Sequence, residues 1–280
     1  MSSLALRHVA RRPRLRLTVL AVAVGLLATV TGCATKGVPY KSPTAASSPT
    51  AASSSATASA AAIAPTAAVS PTASLTPLAA AAGQLTGTQL ESVLLPASDF
   101  PSGFAASSSG ATTSGGSLTS GPVSYPLATV SCSDFVQHLG STGFGETAMA
   151  ADSVVGTDQA YDQVIYQFAA ASGAKAFVAG IESLAARCTS FTAPAGGGTA
   201  TFSLKAAPGG ALAGLPTVEL LQTGKVSGSA LTLDTLFTAS GVDVFAASAV
   251  GLGAGVPAVP SKPTIIYNLM KRQAAAAVLS

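Results

Sequence analysis

Apolar and polar residues alternate along Tyr161-Asp162-Gln163-Val164-Ile165-Tyr166-Gln167-Phe168. Val164, Tyr166 and Phe168 share one face and Gln163, Ile165 and Gln167 the other, the pattern of a half-buried strand. The period then lengthens. Phe177, Ile181, Leu184 and Cys188 recur at helical spacing, with Lys175, Glu182 and Arg187 off their face and Ser172 as the candidate cap. Alternation returns over residues 199–205, 217–223, 231–238 and 242–250, separated by glycine-containing turns of hairpin length. Strands joined in this way are expected to pair antiparallel.

Short helices frame these strands. Thr88-Gln89-Leu90-Glu91 has capping-box spacing ahead of Val93, Leu94 and Leu95, which predicts an opening helix that stops at Pro96. Ser133 is placed to cap a second helix through Phe135, Val136 and Leu139, ending at Gly140. Pro263 suits a first helical turn, so residues 265–279 are read as an alanine-rich closing helix. The Ser/Gly/Thr-rich residues 106–121 read as an exposed loop. The expected fold class is α+β: an antiparallel sheet of about five to six strands with helices packed on one face and one disulfide.

The pattern before this domain is different. Arg7, Arg11, Arg12, Arg14 and Arg16 precede an apolar run over residues 17–30, and Val30-Thr31-Gly32-Cys33 follows. A basic region, a short apolar core and small residues before a cysteine make a lipoprotein signal peptide over residues 1–32, with Cys33 as the lipidated first residue of the mature chain. The run is shorter than the ~20 residues of a membrane-spanning helix. Two acyl chains on Cys33 give stable anchoring where one is marginal. The expected address is therefore the extracytoplasmic face of the cell membrane, reached by general secretion, since the residues around Arg11-Arg12 make no twin-arginine motif. The alternative is an uncleaved anchor with a chance cysteine, which leaves the domain on the same side.

Residues 33–83 are almost entirely Ala, Ser, Thr and Pro toward their end, and no charged residue occurs from Ser42 to Leu90. Such a segment has too little large apolar surface to offset its ordering entropy, so a disordered stalk is expected. As a flexible coil of ~50 residues it reaches roughly 40 Å. Ser/Thr beside proline, as in Ser42-Pro43-Thr44 and Ser70-Pro71-Thr72, suits either O-glycosylation or a bare linker. The third segment, residues 84–280, is long enough for one core.

Removing the leader inverts the charge. The whole chain carries +3, but five of its 14 basic residues precede Cys33 and all 11 acidic ones follow it, which leaves −2. No basic cluster remains, so the footprint of a nucleic-acid binder is missing.

Cys132 and Cys188 are the remaining cysteines. In an exported protein an even pair reads as a disulfide, here closing a 56-residue loop worth roughly 4 kcal/mol; two buried free thiols are the alternative. The run Val164-Ile165-Tyr166-Gln167-Phe168, then residues 172–177 and a helix ending at Cys188, resembles the extracellular sensor domain of the PknH kinase family, found also in actinobacterial lipoproteins. Leu94-Leu95-Pro96-Ala97-Ser98-Asp99-Phe100-Pro101 and residues 242–250 fall where that family has similar elements. The resemblance covers most of residues 85–277 and implies an antiparallel sheet with helices around a cleft. Family members typically carry a second disulfide and a tryptophan before the helix-terminal cysteine; this chain has Ala185-Ala186-Arg187 there and no second pair. No ligand-binding residue carries over.

Catalytic chemistry is poorly represented. His138 is the single histidine after Cys33, which rules out a multi-histidine metal site, and no Gly-x-Ser-x-Gly elbow occurs. Asp134 and His138 stand four apart and are read as a solvent-facing pair rather than part of a catalytic triad. Residues 251–255 look glycine-rich, but Pro257 and Pro260 stand where a phosphate-binding helix would begin. Asp152, Asp158 and Asp162 match no calcium loop and read as solvated turn and edge residues. Gln163, Gln167, Glu219 and Asp234 line either a cleft or the wet side of the sheet, and Tyr125, Tyr161 and Tyr166 are aromatic candidates for ligand contact, Tyr166 fitting the core better. The expectation is a non-catalytic, sensor-like binding domain without cofactor or metal, held to the membrane through Cys33, with a small ligand, a glycan or an envelope protein as partner and no nucleic acid. An envelope lipid or glycolipid carrier is the alternative.

Overall fold

The computed structural model of the chain describes residues 84–114, 123–195, 198–209, 212, 214–253 and 255–279. Cys33, the leader and the stalk lie outside them.

In chain order the described elements are helix α1 (Gly87–Glu91), a single 3-10 turn (Ala97–Asp99), strands β1 (Ala105–Ala106) and β2 (Thr112–Ser114), and helix α2 (Cys132–His138). Strands β3 (Ala148–Val155) and β4 (Gln159–Gln167), helix α3 (Ala171–Arg187) and strands β5 (Phe191–Ala195) and β6 (Gly198–Pro208) follow. Then come β7 (Thr217–Val226), β8 (Ser229–Ser240), β9 (Asp243–Leu252) and helix α4 (Lys262–Leu279). All nine strands form one antiparallel sheet in the order β1-β3-β4-β9-β8-β7-β6-β5, with β2 also on β3.

Nine strands replace the expected five to six. The five predicted strands are present, longer by one to four residues, and β3 and β5 are the substantial additions. Strand β3 has no alternation because its first three residues are all buried and pair with β4 (Ala150↔Ile165). Strand β5 contains Pro194, which reads as a break; it forms the sheet edge, where a missing backbone N–H costs no ladder bond. Strands β1 and β2 fall at the start of the segment expected to be a loop, and residues 115–121 of that segment lie outside the described residues.

Helices cover both faces of the sheet, not one. Val164 and Tyr166 of β4 pack with Phe135 of α2 and with Phe177 and Ile181 of α3. Tyr161 and Ile165, on the opposite side of the same strand, pack with Leu90 of α1 and with Ile265 and Leu269 of α4. The expected wet face is covered because its polar residues hold main chain rather than water. Gln163 Oε1 accepts from Leu95 N at 2.8 Å while its Nε2 donates to Leu95 O at 2.7 Å. Gln167 Oε1 accepts from Leu85 N at 2.8 Å and its Nε2 donates to Asp243 at 3.0 Å.

Helix starts are displaced from their sequence signals. Thr86, not Thr88, caps α1, in a reciprocal box with Gln89, and Ser131, not Ser133, caps α2. Both capping residues have the extended backbone a cap requires, ψ 162° and 152°. Helix α3 begins after Ala170 without a side-chain cap, so Ser172 lies inside it. The bond between Cys132 and Cys188 is present, with Cα atoms 5.6 Å apart, and ties the first residue of α2 to the end of α3.

Candidate functional site

The α2/α3 face of the sheet carries more apolar surface than those helices cover. Toward the β5 edge a separate cluster of Ala193, Phe202, Val226, Leu231 and Val250 continues it. Between this cluster and the end of α2 lies a slot. Its sheet side presents Val164, Leu231, Leu233 and Val250, and its remaining walls include Val136 and Leu139 of α2, Pro194 of β5 and Phe202 of β6. With its mouth the slot holds about 820 Å³ of unfilled space, but a water-sized molecule has only about 80 Å³ to move in. It is narrow.

Phe202 forms its wall because β7 has no side chain beneath it. A Cβ on Gly224, paired with Phe202 in register, would stand 2.3 Å from the Phe202 ring.

One polar row crosses this apolar face. Ser153, Asp162, Ser248 and Thr235 stand in consecutive register on β3, β4, β9 and β8. Ser153 Oγ donates to Asp162 Oδ1 at 2.6 Å, and the Ser248 and Thr235 hydroxyls bond each other at 2.8 Å. In the next row, Val250, Leu233 and Gln222 align on β9, β8 and β7. Asp162, Ser248 and Gln222 all line the slot.

Asp162 and Gln222 are left with unused hydrogen-bonding capacity. Asp162 is partly buried and lines the slot, and its Oδ2 has no partner among the described residues. Burial pushes the Asp162 carboxyl up to about 6; the Ser153 hydrogen bond opposes the shift and the nearby Asp152 charge adds to it. Gln222 is 7% exposed, and its amide has no partner among the described residues. Asp162 is only partly buried and neither group is fully enclosed, so both are open to water or to a ligand that enters the slot. From β4 to β7 is three strand spacings, so about 14 Å separates the two groups across the sheet.

The other sequence candidates do not converge here. Gln163 and Gln167 hold the chain before and after α1 on the opposite face. Glu219 and Asp234 are on that face too, bridged by Lys262 from the start of α4. Burial raises the Asp234 carboxyl, with Lys262 pulling it back. Tyr161 is buried against Phe100 and Phe104 and donates to Val259 O, and Tyr166 is buried and accepts from Gly140 N. Tyr125 stacks on His138 with ring centroids 3.9 Å apart. Asp134 and His138 form no carboxylate–imidazole pair: Asp134 Oδ2 accepts from Ser131, and His138 Nδ1 meets the Asp134 main-chain oxygen at 2.8 Å. Among the described residues no group of three metal-ligating side chains occurs, and no helix is long and apolar enough to cross a membrane.

Asp162 is therefore no solvated turn or edge residue: it stands inside β4, between β3 and β9, facing the slot. Gln222, Ser248 and Thr235 drew no notice in the sequence. A signal existed in Asp162 itself, a carboxylate on the same strand face as Val164 and Tyr166. The partner row is scattered over 96 residues of chain, from Ser153 to Ser248, and only strand register assembles it.

No protein-family profile and no curated protein matches the chain. Among solved structures the chain is similar to the extracellular domain of PknH from Mycobacterium tuberculosis, at 15% identity over 70% of this chain and 98% of that one, with a TM-score of 0.45.

Proposed function

We propose that this chain is a lipoprotein anchored by Cys33 on the extracytoplasmic face of a cell membrane, and that its folded domain binds a small ligand in the slot without catalysing a reaction. The observation that carries the binding reading is the pair of unused polar groups, Asp162 Oδ2 and the Gln222 amide, in an otherwise apolar pocket. Small-molecule sites have this composition, apolar walls with a few polar groups. The Cys132–Cys188 bond supports export, because disulfides persist in oxidising compartments. The anchor rests on the order of basic region, apolar run and Cys33.

The slot's width weighs on the carrier alternative. Its 80 Å³ of free interior is smaller than an apolar cavity of about 150 Å³ that takes one benzene ring, so a multi-chain lipid finds no enclosed room.

Native mass spectrometry of the full chain, purified from its own envelope, tests the binding reading. Wild type is expected to carry a small molecule that a Leu233→Trp variant, with the slot filled, lacks; identical species on both overturn it. Metabolic labelling with an alkyne fatty acid tests the anchor. Label on the wild type and none on Cys33→Ala is expected, and equal labelling of both overturns lipidation at that residue.

A further inference from the structure

The chemistry at the Asp162 end of the slot selects among ligands. This inference rests on the reading of the slot as a binding site. Asp162 lines the slot; its Oδ1 is occupied by Ser153, while Oδ2 has no partner among the described residues. Among the described residues no lysine, arginine or histidine lines the slot, so the carboxylate meets no cation from them there. The apolar side chains of Val250, Leu233 and Leu231 lead away from it across the sheet. We propose that the slot takes a slender aliphatic amine, with its ammonium group on Asp162 Oδ2 and its alkyl chain along Val250, Leu233 and Leu231.

Three physical arguments favour that class. An ionised carboxylate surrounded by apolar walls gains most from a cation that also donates a hydrogen bond, the strongest kind of polar contact available to it. A second carboxylate is disfavoured by like-charge repulsion in the same low-dielectric site. Size sets the third limit. One water needs about 10–15 Å³ of such free space, so 80 Å³ admits roughly six heavy atoms inside, with any remainder at the mouth. That is the bulk of a short alkylamine rather than of a ring system.

The Gln222 amide lies at the far end of the slot, about 14 Å from Asp162, and a short chain leaves it unpaired. Replacing Gln222 by leucine removes a buried polar group that an alkyl chain fails to satisfy, which is expected to strengthen binding of plain alkyl ligands without changing preference for the head group.

The test uses the full acylated chain in lipid nanodiscs and methyl NMR of Leu231, Leu233 and Val250, with hexylamine, hexanol and hexanoate as probes. Hexylamine is expected to half-saturate the methyl shifts at about tenfold lower concentration than hexanol, the scale of one charge-assisted hydrogen bond, and hexanoate to leave them unmoved. In Asp162→Asn the amine should lose its tenfold advantage while hexanol binds as before, which also shows that the variant is folded. Gln222→Leu should keep the advantage. Equal binding of hexylamine and hexanol by the wild type, or an advantage that survives in Asp162→Asn, overturns the amine assignment. Failure of all three probes to move the slot methyls overturns the slot as a binding site for short alkyl ligands, and with it this inference.

Discussion

Gln163 and Asp162 are sequence neighbours on opposite sides of β4 with opposite fates. Gln163 is fully buried and spends its whole amide on the two main-chain groups of Leu95. A Gln163→Leu substitution leaves a buried N–H and a buried C=O unpaired, and the expected loss is about 2–3 kcal/mol in urea unfolding. A loss below about 0.5 kcal/mol would show that the chain before β1 contributes little to the fold. Asp162 and Asp243 predict a pH dependence. Burial is the first cause of each shift, and both carboxyls are pushed up to about 6 from the ordinary 3.8. Gln167 donates to Asp243, and Asp152 is the charged group acting on Asp162. The folded state therefore holds protons that the unfolded chain has released, and stability is lost as pH rises from about 4 through about 6. The Tm should be a few degrees higher near pH 5 than near pH 7.5, and the double variant Asp162→Asn/Asp243→Asn should flatten that difference. A Tm that rises with pH over this window contradicts it.

Among the elements, α2 and β7 depend most on particular contacts. Helix α2 is only Cys132–His138, too short to persist on propensity alone, and it is held by the Ser131 cap and by the bond from Cys132 to the end of α3. Replacing Cys132 and Cys188 together by alanine is expected to cost roughly 4 kcal/mol, read as a lowered urea midpoint. An unchanged midpoint would mean that packing alone positions the helix. Strand β7 shapes the slot through Gly224. Gly224→Val forces the Phe202 ring away, at an expected cost of about 1–3 kcal/mol, and should abolish the hexanol-induced shifts of the Leu233 methyls. Retained shifts would place the ligand elsewhere. The helix-period stripe of Phe177, Ile181 and Leu184 and the alternation in β6 to β9 were legible because one face of each meets a single kind of surroundings. The caps at Thr86 and Ser131 were misplaced by two residues each, since Thr88 and Ser133 are chemically as good and only backbone conformation separates them.

At the scale of the molecule, the sheet is a shared wall between two cores. Lys262 fastens the second of them by bridging Glu219 of β7 and Asp234 of β8 at the start of α4. Lys262→Met leaves two carboxylates facing a covered surface, with Asp234 Oδ1 already unpaired, and about 1–2 kcal/mol of stability should be lost, less than for a fully buried pair because Glu219 retains solvent contact. Equal midpoints for variant and wild type would mark the bridge as surface decoration. The sequence by itself determined the antiparallel strands, the amphipathic helices and the pairing of Cys132 with Cys188, because period, turn chemistry and cysteine count are local or additive properties. Whether a polar residue on a strand faces water, main chain or a slot is not local. Gln163, Asp162 and Gln222 look alike along the chain, and only tertiary packing decided among their roles, since Gln163 meets Leu95, Asp162 meets Ser153 and Ser248, and Gln222 lies beside Leu233 only once the strands are in register.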